Sequence, residues 1–301
     1  MIDKQAPSTS TNIGVLRVGM AMWSHEKWRE CLYSGPRDQW LADYAKVFST
    51  VEGNTTFYAL PKIASVRNWS QAVGEAFRFT FKLPQSITHQ AQLRHTQGLL
   101  SEFFSTMAPV AEQTSIWMIQ LPKQFGPQQL PDLETFLNQL PSDRTFGVEV
   151  RHPQFFAKGA AEQQLNRLLM AQKVERIMMD TRAVFAALPT TAAVIEAHAK
   201  KPHIPVHVLE SGQTPVIRFI AHPQMSANDQ FFQPWLAKLS KWLSNGLNPH
   251  LFIHTPDNTL APQFAVYLYQ QLADFCQNQK NFSLPSLELP ELPGSQQIGI
   301  F

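Results

Sequence analysis

The sequence predicts an α/β protein: a single (β/α)8 TIM barrel with a Pro-rich C-terminal tail. Eight apolar, β-rich runs recur along the chain, and most gaps between them carry a helical period. The run starts lie about 33 residues apart on average, the length of one strand plus one crossover helix. At 301 residues the chain is about twice the usual domain length, and this even spacing argues for one large domain.

The first run, Val15–Met22, follows a polar segment, residues 1–12, which lacks the apolar core of a signal peptide and is expected to be disordered. Before the second run, Val47–Asn54, the stretch Pro36–Phe48 places Trp40, Tyr44 and Val47 at helical spacing, with Pro36 near its start. The remaining runs are Phe77–Lys82, Ser115–Leu121, Thr145–Arg151, Arg176–Asp180, Val216–His222 and His250–His254. Helical patterns occupy Gly98–Ala111, Leu130–Leu140, Ala160–Ala171, Phe232–Leu243 and Ala261–Phe275. The runs are nearly continuous Val, Ile, Met and Phe, as strands covered on both faces require. An open doubly wound sheet is the alternative, but it usually carries a Gly-rich nucleotide turn after its first strand. Here that strand runs into Met22–Trp23–Ser24–His25. Ala183–Thr214 is the least defined stretch, and its His203–Val208 segment is either an extra strand or part of a loop over the barrel mouth. The barrel is assigned to 13–280 and the tail to 281–301, where Pro285, Pro290 and Pro293 interrupt any period and point to a semi-extended segment leaving the globule.

Hydrophobic residues make up 44% of the chain, enough for a sizeable core, while charged residues are only 16%. A net charge of +2 is too balanced for a surface that grips nucleic acid or an anionic membrane broadly. Cys31 and Cys276 are the two cysteines, so a disulfide framework and a four-thiolate metal site are excluded. No window suits a transmembrane helix, and the cytoplasm is the expected compartment.

In a TIM barrel the chemistry gathers at the C-terminal ends of the strands. There the sequence offers Glu52, Asn54, Thr56, Phe57 and Tyr58 after the second strand, Lys82 after the third and Gln120 after the fourth. Glu149, Arg151 and His152 follow at the fifth and Asp180 at the sixth; Arg218 and His222 belong to the seventh, and His254 ends the eighth. Alternation puts Glu52 with Asn54, and Glu149 with Arg151, on common faces. So many polar residues converging on one rim predict a pocket. A glycosidase pair at the fourth and seventh strands is disfavoured, because Gln120 and basic or imidazole groups stand there. Gly-rich phosphate loops are missing: Ala221–His222–Pro223–Gln224 and Thr255–Pro256–Asp257 replace them. Lys82, next to Glu52, is expected to be ion-paired and to hold anions rather than form a Schiff base. A divalent metal on Glu149, Asp180, His222 and His254 is not favoured, because Arg151 competes for Glu149.

These strand-end motifs resemble the YecE-like family, known as domain of unknown function 72. The matching stretches are VGMAMWSHEKWRE at Val18, FSTVEGNTTFYALP at Phe48, FRFTFKLPQSITH at Phe77, IQLP at Ile119 and VEVRHPQFF at Val148. The resemblance spans most of residues 14–275 and implies a TIM barrel with no securely established activity. Its family-typical positions are Trp23, Glu52, Asn54, Thr56, Phe57, Tyr58, Lys82, Gln120, Pro122, Glu149, Arg151, His152, Pro153 and Asp180. Two motifs depart from the family pattern: the first lacks its serine and second glycine, and the last strand ends His254–Thr255–Pro256 instead of in an asparagine pair.

The final five residues, Gln297–Ile298–Gly299–Ile300–Phe301, resemble the bacterial sliding-clamp-binding peptide. In that reading Gln297 makes polar contacts while Ile298, Ile300 and Phe301 anchor in a pocket; the alternative is a tail that covers a groove of its own barrel.

Three functions remain open at this level. The first is an enzyme, a hydrolase, lyase or isomerase, acting on a small polar or anionic ligand, with Glu149 or Glu52 as general base, Lys82 and Arg151 stabilising negative charge, and Asp180 in the same catalytic set. Trp23, Asn54, Thr56, Phe57, Tyr58, Gln120, His152, Arg218, His222 and His254 would bind the ligand. The second is a DNA-maintenance accessory recruited to the clamp by its tail. The third is a ligand sensor without catalysis.

Overall fold

The computed structural model describes residues 13–280 and 282–292. Its strands are β1 (Arg17–Met20), β2 (Thr50–Gly53), β3 (Arg78–Lys82), β4 (Thr114–Gln120), β5 (Phe146–Glu149), β6 (Glu175–Arg176), β7 (Met178–Asp180), β8 (Val216–Ile220) and β9 (His250–His254). Every residue of β2, β5, β8 and β9 is buried, which is why these runs lack polar alternation.

All pairings are parallel, but they form two sheets: a four-stranded one, β1-β9-β8-β7, and a five-stranded one, β2-β3-β4-β5-β6. The single closed sheet expected from the sequence is therefore interrupted at two seams. At the first, the run Arg176–Asp180 breaks at Ile177, so that β6 pairs with β5 while β7 pairs with β8. Ile177 still donates its N–H to Val148 O at 2.9 Å. At the second, Tyr44 Oη lies between β1 and β2, accepting from Met20 N at 2.8 Å and donating to Thr50 O at 2.9 Å. A Cβ on Gly19 would lie 1.9 Å from Thr50 O, so only glycine permits this approach.

Six predicted helical patterns correspond to helices at Trp40–Val47, Gln97–Met107, Leu130–Leu137, Ala160–Ala171, Asp229–Ser244 and Ala261–Lys280. Two further helices longer than five residues, Ile63–Ala72 and Ala192–Lys200, were not predicted. Val66 is the one fully buried residue of the first, so its apolar stripe is too thin to read. The long stretch before β8 carries Arg182–Ala186 and Ala192–Lys200 as helices, and His203–Val208 forms no strand.

The enclosed face of the strands is layered. Ile116, Met118, Ile177, Val216 and Phe252 form one buried apolar cluster. Two residues further along the same strands come Gln120, Arg218 and His254, so polar groups succeed the apolar layer toward the strand ends. Before the layer, at the starts of the strands, His250 Nε2 and Ser115 Oγ share a hydrogen bond of 2.8 Å across the two sheets. Near that end the buried Glu175 carboxylate accepts from Thr214 N, and Arg176 N–H donates to Ser211 Oγ at 2.6 Å.

Contrary to the expected departing tail, Phe282, Leu284, Leu287 and Leu289 pack against the main core, and Tyr269 Oη donates to Pro285 O at 2.5 Å. These leucines alternate with the prolines, so an extended backbone can bury apolar side chains without a ladder. Gln297, Ile298, Ile300 and Phe301 lie outside the described residues.

Candidate functional site

The strand C-termini open into a cavity of about 1040 Å³. At its floor lies a buried ion network. Arg218 of β8 donates from Nε to Glu52 Oε2 at 2.6 Å and from Nη2 to Glu52 Oε1 at 2.8 Å, while its Nη1 reaches Glu149 Oε2. Arg151 Nε donates to the other Glu149 oxygen at 2.8 Å. Lys82 Nζ donates to Gln120 Oε1 at 2.8 Å and lies 3.4 Å from Glu52 Oε1. Two carboxylates thus face three cations in a region where desolvation is expensive, and the forked Arg218 contacts are the geometry that offsets it.

The same field sets the protonation states. Burial raises the Glu149 carboxyl, but Arg218, Arg151 and Lys82 outweigh it and bring it down to about 2. Glu52 is likewise held well below the carboxylate range, by Arg218 and Lys82 against burial. Burial and the nearby Arg218 lower the Lys82 ammonium to about 8, against the pull of Glu52 and Glu149. Burial brings His254 down to about 4, so its imidazole is neutral at pH 7. His254 Nε2 stands 3.7 Å from Glu52 Oε2, too far for a hydrogen bond, and has no partner.

A model of the family described as "Protein of unknown function DUF72" matches residues 17–287. The chain belongs to this family. It is 45% identical over 258 residues to the UPF0759 protein YecE of Escherichia coli K12, covering 86% of this chain and 93% of that protein. Among solved structures, DUF72 proteins of Enterococcus faecalis (TM-score 0.66, 17% identity, 87% of this chain and 98% of that one) and Thermotoga maritima (TM-score 0.65, 18% identity, 86% and 99%) share the fold.

In this DUF72 chain Trp23, Glu52, Asn54, Phe57, Tyr58, Lys82, Gln120, Arg151, Arg218 and His254 all line the cavity. Glu149 sits beneath, behind Arg151 and Arg218. Thr56 is buried and spends its hydroxyl on Lys82 O at 2.7 Å, holding the turn after β2 against β3. Three more predicted site residues also do not line the cavity. Asp180 accepts from Arg182 and, at 2.8 Å, from Trp235 Nε1, so its carboxylate ties β7 to the helix Asp229–Ser244. His152 and His222 each use Nδ1 to accept from the backbone two residues on, Gln154 N at 3.3 Å and Gln224 N at 3.0 Å, which stabilises their own turns. Glu149, Asp180, His222 and His254 thus do not converge, and among the described residues no group of three or more His, Cys, Asp and Glu could hold a metal ion. No helix among these residues is long and apolar enough to cross a membrane.

The sequence reading missed Lys201, His89 and Asn258, all on the cavity wall. Lys201 follows the helix Ala192–Lys200 and brings a cation over the mouth from the crossover before β8. Burial, Arg218 and Lys82 lower its ammonium to about 7. Its Nζ has no hydrogen-bond or ion-pair partner among the described residues. The adjacent Lys200 pairs instead with Glu196 on the surface. His89 packs edge-on to Phe57 and shares a 2.8 Å hydrogen bond with Thr88. The AHAKKPH string (197–203) was a signal for Lys201, since two lysines ending a helix cannot both point to the same side.

Proposed function

We propose that the two sheets act as one (β/α)8 barrel and that its mouth binds a small anion and moves a proton on it. The observation that carries this reading is Lys201, an unpartnered lysine held over a network in which Lys82, Arg151 and Arg218 already outnumber Glu52 and Glu149. A cation left without a counter-ion in a desolvated cavity is a binding site for negative charge. Glu52 and Glu149 are poor general bases in this reading, because Arg218 occupies and acidifies both; they serve as fixed counter-charges. A bound anion raises the Lys201 pKa, so that Lys201 holds a proton at pH 7 and can donate it to a developing oxyanion, with Lys82 beside it as electrostatic support. Proton transfer of this kind belongs to isomerases, lyases and some hydrolases.

The test is calorimetric titration with inorganic phosphate, sulfate and a panel of small carboxylates, on the full chain and on Lys201→Met. Binding by the full chain that weakens about tenfold or more in Lys201→Met supports the reading. Anions that bind neither protein, or both equally, overturn it.

A further inference from the structure

We propose that the cavity accepts a phosphate monoester of a polyhydroxylated carbon skeleton, a sugar phosphate, with the phosphate against Lys201, Lys82 and Arg151 and the hydroxyls against Asn54, His254 and Asn258. This rests on the anion-binding reading above and names the ligand class.

Charge is the first argument. Inside the outer rim, where Lys200 pairs with Glu196 and Asp257 is exposed, Lys82, Arg151, Lys201 and Arg218 against Glu52 and Glu149 leave two positive charges uncompensated when Lys201 is protonated. A phosphate monoester carries about −1.5 to −2 near neutral pH and matches that excess, whereas a carboxylate carries only one charge. The Gly-rich loops that cradle phosphate through backbone N–H groups in other barrels are missing, and lysine and arginine side chains take over that task.

The second argument is independent of charge. Asn54, His254 and Asn258 line the cavity, and each carries a buried polar atom with no hydrogen-bond partner: Oδ1, Nε2 and Oδ1. Asn54 donates one amide N–H to Ala21 O at 2.7 Å, and its Oδ1 is left as an acceptor without a donor. An orphaned buried acceptor costs free energy unless a donor arrives. These atoms come from the ends of β2 and β9, on either side of β1, while Lys82 and Arg151 follow β3 and β5. One ligand that meets both groups therefore has an anionic end and a run of neutral donors. Hydroxyls on adjacent carbons meet this need, since each one donates and accepts. The volume of about 1040 Å³ leaves room well beyond an inorganic phosphate, and Trp23 and Phe57 supply apolar surface for a carbon skeleton.

Full-length protein is titrated at pH 6.5 with glucose phosphate, ribose phosphate, glucose, gluconate and inorganic phosphate. The expected result is that at least one sugar phosphate binds about tenfold or more tighter than inorganic phosphate, gluconate or glucose. Asn258→Gly, which keeps the left-handed backbone of Asn258 (φ 60) available, should weaken the sugar phosphate several-fold and leave inorganic phosphate unchanged. If inorganic phosphate binds as tightly as every sugar phosphate, or gluconate outcompetes them, the hydroxyl-and-phosphate assignment is overturned while the anion site stands. If no anion binds, both fall. The ligand series uses unaltered protein, so the comparison survives even if Asn258→Gly fails to fold.

Discussion

Arg218 on β8 grips both oxygens of Glu52 on β2, 166 positions earlier in the chain, at 2.6 and 2.8 Å. Because β8 and β2 belong to different sheets, this forked pair joins the two halves of the fold as well as flooring the cavity.

Replacing Arg218 by Met leaves Glu52 and Glu149 buried with only Lys82 and Arg151 to offset their charge. We expect Arg218→Met to lose about 3–5 kcal/mol in urea unfolding. Adding Glu52→Gln should restore part of it, since Glu52 is the carboxylate that Arg218 grips through both oxygens while Glu149 keeps Arg151. An Arg218→Met protein as stable as wild type would show that the network contributes no net stability.

The same carboxylates set the acid limit. The Glu149 pKa falls from 4.5 to about 2 on folding, and a depressed carboxylate stabilises the fold above its unfolded pKa. Stability should therefore decline as pH falls from 4.5 toward 2, and less steeply in Glu149→Gln. Melting temperatures across that window check it.

Glu175 predicts the opposite slope elsewhere. Burial raises its pKa from 4.5 to about 7, with only the Thr214 N–H opposing, so the folded state binds the extra proton. Stability contributed by that proton is complete below 4.5 and is lost as pH rises through 7. Glu175→Gln keeps an acceptor for Thr214 without the charge and should be about 1–3 kcal/mol more stable than wild type at pH 8. Equal stability of the two proteins at pH 6 and pH 8 would refute this.

Lys201 makes anion binding pH-dependent. Its ammonium is half protonated near 7, so affinity for inorganic phosphate should fall as pH rises through that value. Lys201→Met should be weaker throughout and show a flatter profile from pH 6 to 8. Parallel profiles for the two proteins would assign the pH dependence to another group.

Ending the chain after Lys280 removes four half-buried apolar side chains, Phe282, Leu284, Leu287 and Leu289, from the core surface. The expected cost is about 2–5 kcal/mol, read as a lower melting temperature. An unchanged melting temperature would mean that these contacts contribute nothing in solution.

The strands were legible because burial on both faces leaves nearly unbroken apolar runs, and Ala160–Ala171 was legible to the residue because its stripe is regular. The charged floor was legible for a related reason: Glu52, Lys82, Glu149 and Arg218 lie within runs that are otherwise mostly apolar. Asp180 also ends a strand but reaches Trp235 on a covering helix, because position at a strand end does not say which of two faces a residue takes. Lys201 escaped because it lies on an irregular crossover, and no local period reports what that crossover packs over. The tail was misread because proline forbids a ladder but does not prevent burial, and Leu284, Leu287 and Leu289 pack without one.

The hydrogen bond between Ser115 and His250 has a consequence for how the fold opens. It ties β4 to β9 at the end of the strands opposite Arg218, so the two sheets are latched at both storeys. The seams at Ile177 and Tyr44 could let such a shell part into two leaves; instead, either leaf can leave only by breaking both latches together. The two sheets should then release their most protected amides in one concerted event, with the Ser115–His250 latch acting as a hidden hinge pin far from the cavity.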